Sequence, residues 1–180
     1  MTIRKIIPIL IVFVFVYSFQ VFANSKIRQY TTIELLITHA DFIVEGTVSY
    51  RHAPDRLYPK SGNGPGLPIT HSEFIISKVL FGENLKVGQA ILIMEVGGEH
   101  EGLLATVDSL LLPVGKKLLL FLTKFERPDS IEMNSYVVLG ADDGVFEIRD
   151  GLMRKPSNFP VRSFQKIGKN ELKKMIKKRK

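Results

Sequence analysis

The run Leu118-Leu119-Leu120-Phe121-Leu122 places the strongest constraint on the fold. Side chains along a strand point alternately to opposite faces, so a strand made of such a run has no face to offer to water. Lys116–Thr123, preceded by the turn residues Pro113-Val114-Gly115, is therefore predicted to be a central strand with packing on both sides. The chain has the material for that: 180 residues, 45% of them hydrophobic, suffice for one domain with a core that needs no staples. It contains no cysteine, which excludes a disulfide framework, a thiolate metal site, a thiol nucleophile and a lipid-bearing cysteine.

Other segments read as short strands. Phe42–Arg51 alternates, with Phe42, Val44, Gly46, Val48 and Tyr50 on one side and Glu45, Thr47, Ser49 and Arg51 on the other. Gly46 inside it signals a bulge or a close backbone approach. His71–Phe81 and Gln89–Val96 follow, each ending at glycine, and later Tyr136–Leu139 and Val145–Arg149. Asp150-Gly151 is a two-residue hairpin signal, so Leu152–Arg154 is expected to pair back. Gly140-Ala141-Asp142-Asp143-Gly144 reads as a tight turn, because it lacks the alternating acidic ligands and closing glutamate of a calcium loop. His52–Thr70, with Pro54, Pro59, Pro65 and Pro68 among Gly62, Gly64 and Gly66, reads as an exposed, mobile connection. Before the strands, Thr31–Ala40 reads as a short helix whose Thr31 and Glu34 have capping-box spacing and whose Ile33, Leu36, Ile37 and Ala40 share a face. After them, Asn170 is expected to cap a helix with a narrow stripe of Leu172, Met175 and Ile176. No strand–helix alternation is present, which disfavours a parallel α/β sheet and favours a small antiparallel barrel.

The ends of the chain carry different signals. Arg4 and Lys5 precede an apolar stretch from Ile6 to Phe19, broken by Ser18, and Val21-Phe22-Ala23 offers a cleavage site before Asn24. That is the three-part pattern of a signal peptide over residues 1–23, with an uncleaved anchor as the rival reading. The division expected is thus signal peptide 1–23, barrel domain 24–165 and basic helix or tail 166–180. The net charge of +7 is concentrated in that tail: Lys166, Lys169, Lys173, Lys174, Lys177, Lys178, Arg179 and Lys180 stand against Glu171. A solvated terminal helix explains such a run, and contact with an anionic surface is the alternative. The tail has no aromatic residue, so no nucleic acid is expected as partner.

No catalytic motif emerges. Glu99-His100-Glu101, set between Gly97-Gly98 and Gly102, could approach a cation if a loop made the side chains converge, although in a strand neighbours diverge. Leu104 stands where a zinc-protease helix would need its second histidine. His71 and Glu73 have same-face strand spacing and could join a site on the barrel surface. Gly115-Lys116 lacks the upstream glycine of a phosphate loop, Leu110 standing there, and Ser109 lacks the glycines of a nucleophile elbow.

The order of features does resemble a known group. Ala40-Asp41-Phe42-Ile43-Val44-Glu45-Gly46-Thr47-Val48 after a short helix, Lys78-Val79-Leu80-Phe81-Gly82 closing a strand, Val96-Gly97-Gly98, Val114-Gly115-Lys116-Lys117 leading into the leucine run, and Gly140 with Gly144-Val145-Phe146 resemble exported bacterial proteins of unassigned function. More distantly they resemble the netrin-like domain of the tissue inhibitors of metalloproteinases. The resemblance implies an OB-type barrel over about residues 33–150. It carries over no inhibitory residue, since those inhibitors use an amino-terminal cysteine and this chain has none.

The expectation is a mainly β protein: a small antiparallel OB-like β-barrel with a short N-terminal helix and a basic C-terminal helix. It is expected to be an exported, non-enzymatic binding domain, with a protein or cell-envelope partner, no cofactor, and contacts through 52–70 and 97–106. Glu99, His100, Glu101, His71 and Glu73 are the candidate binding residues. The alternatives are a metal-assisted hydrolase using Glu99, His100 and Glu101 with His71, and a surface-attached protein held by its basic tail.

Overall fold

A computed structural model describes residues 30, 32–57, 66–100, 103–105, 111–125, 135–156 and 167–179. The expected signal peptide, residues 1–23, lies outside them. The chain is mainly β. Helix α1 (Ile33–His39) precedes strands β1 (Phe42–Arg51), β2 (Asp55–Leu57), β3 (Leu67–Phe81), β4 (Ala90–Val96), β5 (Gly98–His100), β6 (Leu103–Ala105), β7 (Lys117–Phe125) and β8 (Ser135–Val138). A 3-10 turn (Ala141–Gly144), β9 (Val145–Arg149), β10 (Leu152–Arg154), β11 (Ile167–Gly168) and helix α2 (Lys169–Arg179) complete it.

The leucine run behaves as its composition requires. Leu118, Leu120 and Leu122 enter one core with Val44, Val48, Phe74, Ile76, Ile91 and Ile93. Leu119 and Phe121 point the other way, into a second core with Ile33, Leu36, Ile37, Ile43, Phe146, Leu172 and Ile176. The first core lies between strands; the second is closed by the two helices. β7 pairs with β1, β8 and β9, so its backbone groups are used on both edges.

β1 pairs antiparallel with β3, β3 with β4, and β7 with both β1 and β8. These directions make β4 and β8 run the same way, so their contact at Leu92–Ser135 and Ile93–Tyr136 is parallel. That departs from the all-antiparallel expectation, and it arises without a strand–helix–strand unit because antiparallel strands intervene between the two.

Gly46 is used as its position suggested. The β1–β3 register shifts between Glu45 and Gly46, and a Cβ there would collide with the Ile75 carbonyl and the Phe74 ring. Asp150 and Gly151 adopt φ of 52° and 73°, the left-handed pair that a tight hairpin needs, and β10 pairs back on β9. Both ends of the Pro/Gly-rich connection are in strands: β2 pairs with Leu67–Ile69, and Pro68 accepts from Gly97 N–H at 2.9 Å. A proline loses only its donor, so an acceptor role in a ladder remains open to it. Its centre, residues 58–65, lies outside the described residues.

Both helices differ from expectation at their starts. Thr32, not Thr31, caps α1: its backbone is extended and its hydroxyl accepts from Leu35 N–H at 3.3 Å. Leu35 then stands where a capping box needs a glutamate. α2 begins at Lys169, so Asn170 is inside its first turn. This helix is also more than a solvated tail. Leu172 and Ile176 are 0% and 4% exposed, and Arg179 lies over the Phe81 ring and donates to the Ile37 and Ala40 carbonyls at the end of α1. Arg179 thereby satisfies carbonyls that a helix end leaves open. Leu172→Ala is expected to cost about 2–5 kcal/mol by leaving a cavity. Lys178→Ala, on the exposed side, should stay within about 0.5 kcal/mol. Urea denaturation of both variants checks the contrast.

Candidate binding face

The helices cover the outer side of the sheet over β1, β7 and β9. Farther along, that side is exposed around Tyr50 and Ile75, while His71 and Met94 on it are buried. Tyr50 is 58% exposed and Ile75 is 42% exposed, with half-buried Leu92 beside them: Tyr50 pairs with Glu73, Glu73 with Leu92, and Ile75 with Thr47 and Ala90. Glu73 Oε1 accepts from Ser49 Oγ at 2.6 Å, which fixes the carboxylate on this face. The Tyr50 and His52 rings meet edge to face, 5.1 Å between centroids. The face thus presents an aromatic ring and aliphatic side chains beside an oriented carboxylate, an arrangement like an apolar interface centre with a polar rim.

A bulge creates this arrangement. Alternation along β1 would put Tyr50 beside Val48 and Arg51 opposite. The register skips Ser49: Val48 pairs with Phe74, Tyr50 with Glu73 and Arg51 with Ser72. One extra residue exchanges the faces beyond it. Tyr50 is turned outward and Arg51 joins the side of Ser72, which alternates with the core residues Phe74 and Ile76.

There Arg51 meets a polar cluster that closes one end of the inner core. Glu95 Oε1 accepts from Ser72 Oγ, and its Oε2 accepts from Leu112 N–H. Arg51 Nη2 donates to the Leu112 carbonyl. Both backbone groups of Leu112 are thus held by side chains while its own side chain is buried in the core. Burial pushes the Glu95 carboxyl above its ordinary range, against the opposing pull of the Ser72 and Leu112 hydrogen bonds and the Arg51 charge. The group is an anchor for the chain entering β7.

The residues singled out in the sequence are not gathered into one site. His71 is 7% exposed, which corrects its expected place on the surface. It faces away from Ser72, and among the described residues its Nε2 has no hydrogen-bond partner. Desolvation lowers its pKa, the nearby His52 lowers it further, and Asp55 raises it. Glu73 does reach the open face. Glu99 and His100 lie in β5, whose backbone pairs with β6 at Leu104 and Leu103. Glu101 lies outside the described residues. Among the described residues, no three acidic or histidine side chains are grouped to hold a metal ion. Asp142 and Asp143 of the turn serve structure: Asp143 Oδ2 accepts from Tyr30 N–H at 2.9 Å. The Lys155 ammonium takes the carbonyls of Asp142, Asp143 and Val145 and sits over the Phe146 ring. Sequence reasoning missed Tyr50 and Ile75 as exposed and Glu95 as half-buried and bonded to the backbone; the first depends on the bulge and the last on Leu112, seventeen residues away in the chain.

The two shifted groups act oppositely on stability. Glu95 binds its proton more tightly when folded, so stability falls as pH rises from 4.5, its ordinary value, through the folded value above it. His71 is held neutral when folded, so stability falls as pH drops from 6.5, its ordinary value, through the folded value below it. Melting temperature should therefore fall less steeply above pH 4.5 in Glu95→Gln and less steeply below pH 6.5 in His71→Gln. Profiles of both variants parallel to the parent's would show that neither group titrates as described. No protein-family model matches the chain, and no curated protein matches it either.

Proposed function

We propose that the protein is an exported, non-enzymatic binding domain on a five-stranded OB-type barrel, and that it engages a protein or cell-envelope partner through the open side of β1, β3 and β4. The pairings β1–β3, β3–β4, β4–β8 and β8–β7 return to the start through β7–β1, which supports closure. An odd ring of strands needs one parallel pair, and β4–β8 supplies it. OB-type barrels bind on the face of their second and third strands and the adjoining loops, which here means β3, β4 and the connection after β1. The exposure of Tyr50 and Ile75 on that side, beside the fixed Glu73, carries the reading. Likeness to the netrin-like domain is part of the same proposal. Export rests on Arg4-Lys5, the apolar stretch Ile6–Phe19 and the site before Asn24. Among the described residues no helix is long and apolar enough to cross a membrane.

A photoreactive side chain at position 50, introduced in the native host, tests the face. A discrete adduct is expected from position 50, abolished by Ile75→Asp and absent when the probe is at position 87, itself well exposed. The same adducts from both positions would sink the assignment. Export is read separately from intact mass: a mature chain beginning at Asn24 outside the cytoplasm is expected, and a full-length chain retained inside would overturn it.

A further inference from the structure

The docked position of α2 changes what its charge can do. Leu172 and Ile176 are spent in the core and Met175 packs against it. An interfacial helix needs a free apolar face to enter a bilayer, and α2 has none left. What it offers outward is a fixed array of lysines. Lys173 and Lys177 stand one turn apart, about 6 Å along the axis, and Lys169, one turn before them, is turned to the sheet. Lys174 and Lys178 form a second row, and Glu171 is the helix's one acidic residue.

The sheet adds to this array. Glu45, 2% exposed on β1, takes the Lys169 ammonium at 2.6 Å. Lys78 of β3 is the cross-strand partner of Glu45, so it reaches the same border of α2. Lys78 is the chief cause of a lowered pKa at Lys173, ahead of slight desolvation and of Lys169, with Glu45 opposing. Among the described residues Lys78, Lys169 and Lys173 gather around Glu45, which Lys169 already takes, and an anion between Lys78 and Lys173 would relieve the repulsion.

We propose that the lysine face of α2, with Lys78, binds a linear phosphate polymer. Regularly spaced cations suit a chain that carries charge on every unit, because each contact releases counterions and the gains accumulate. A lone phosphate gains from only one or two. Single-stranded nucleic acid is a poorer fit, since its binding leans on aromatic stacking and α2 has no aromatic residue. A bilayer is a poorer fit because no apolar residue of α2 is free to enter it.

Long-chain inorganic polyphosphate is the probe, titrated into the full mature chain at low and moderate salt. Binding should weaken steeply with salt, roughly as the number of lysines engaged. Lys173→Glu with Lys177→Glu should weaken it by about tenfold or more, and Lys78→Glu should weaken it further, while Tyr50→Ala leaves it unchanged. Melting temperature verifies folding; should the glutamates disturb it, the paired Lys→Gln variants give the same test. Truncating α2 is no substitute, since it strips Leu172 and Ile176 from the core. Unchanged binding in the folded variants would overturn the proposal. So would equally tight, equally lysine-dependent binding of phosphatidylglycerol vesicles or of single-stranded DNA, which would assign the face to a membrane or to nucleic acid. The Tyr50 adduct is read independently, so either surface can fail alone.

Discussion

β7 cannot face water on either side, and the remaining elements are arranged around that fact. Leu118, Leu120 and Leu122 need one partner layer and Leu119 and Phe121 another. Strands β1, β3 and β4 supply most of the first, with Leu112 of the chain entering β7. The second lies on the outside of the sheet, where only helices or further chain can cover it. α1 and α2, from opposite ends of the described chain, pack there together. The burial of Leu172 is thus a consequence of the leucine run some fifty residues before it, and at roughly 25 cal/mol per Å² of apolar surface each covering side chain matters to a domain of this size.

Helical cover on one part of the outer face leaves another part open. Ile43 and Glu45 of β1 lie under the helices, whereas Thr47, Tyr50, Glu73 and Ile75 lie beyond them. The bulge at Ser49 decides what the open part displays. Without it Arg51 would face outward and Tyr50 inward; with it the ring is displayed, and the guanidinium is sent to the end of the inner core. Arg51 then holds the Leu112 carbonyl as Glu95 holds its N–H, so one local irregularity both shapes the surface and helps fix the entry to β7. Removing either partner would leave a buried polar group unmatched, at a cost of about 1–3 kcal/mol.

How much of this was legible depends on the range of the interactions. Phe42–Arg51 and Val145–Arg149 were readable to the residue because alternation and flanking glycines are local signals. The Asp150-Gly151 hairpin and the tight approach at Gly46 were readable for the same reason. The sides of Tyr50 and Arg51 were not, because a one-residue slip in register is set by the partner strand. The parallel β4–β8 contact was not, because it follows from the order in which antiparallel strands meet. The role of α2 was half legible. Its stripe of Leu172, Met175 and Ile176 was visible, but the density of lysines around it suggested a solvated tail, and only the outer face of β7 shows where the stripe is needed. For the candidate site, the spacing of His71 and Glu73 placed them on one face, but His71 was misplaced on the surface because same-face spacing does not reveal what covers the face.

β3 links the two proposed surfaces. Its Glu73 and Ile75 lie on the open side, and its Lys78 borders the lysine face. Five residues of strand separate Glu73 from Lys78, about 17 Å at ordinary rise. That spacing exceeds the reach of any one side chain, so a partner seated over Tyr50 and Glu73 would not have to displace a polymer lying along α2. The charges favour the same division. Glu73 is an oriented carboxylate on the open face and would repel a phosphate chain, whereas Glu45 is buried and its Oε2 is paired with Lys169. An anionic chain is therefore directed to the helix, and a partner with a complementary apolar or cationic patch to the sheet.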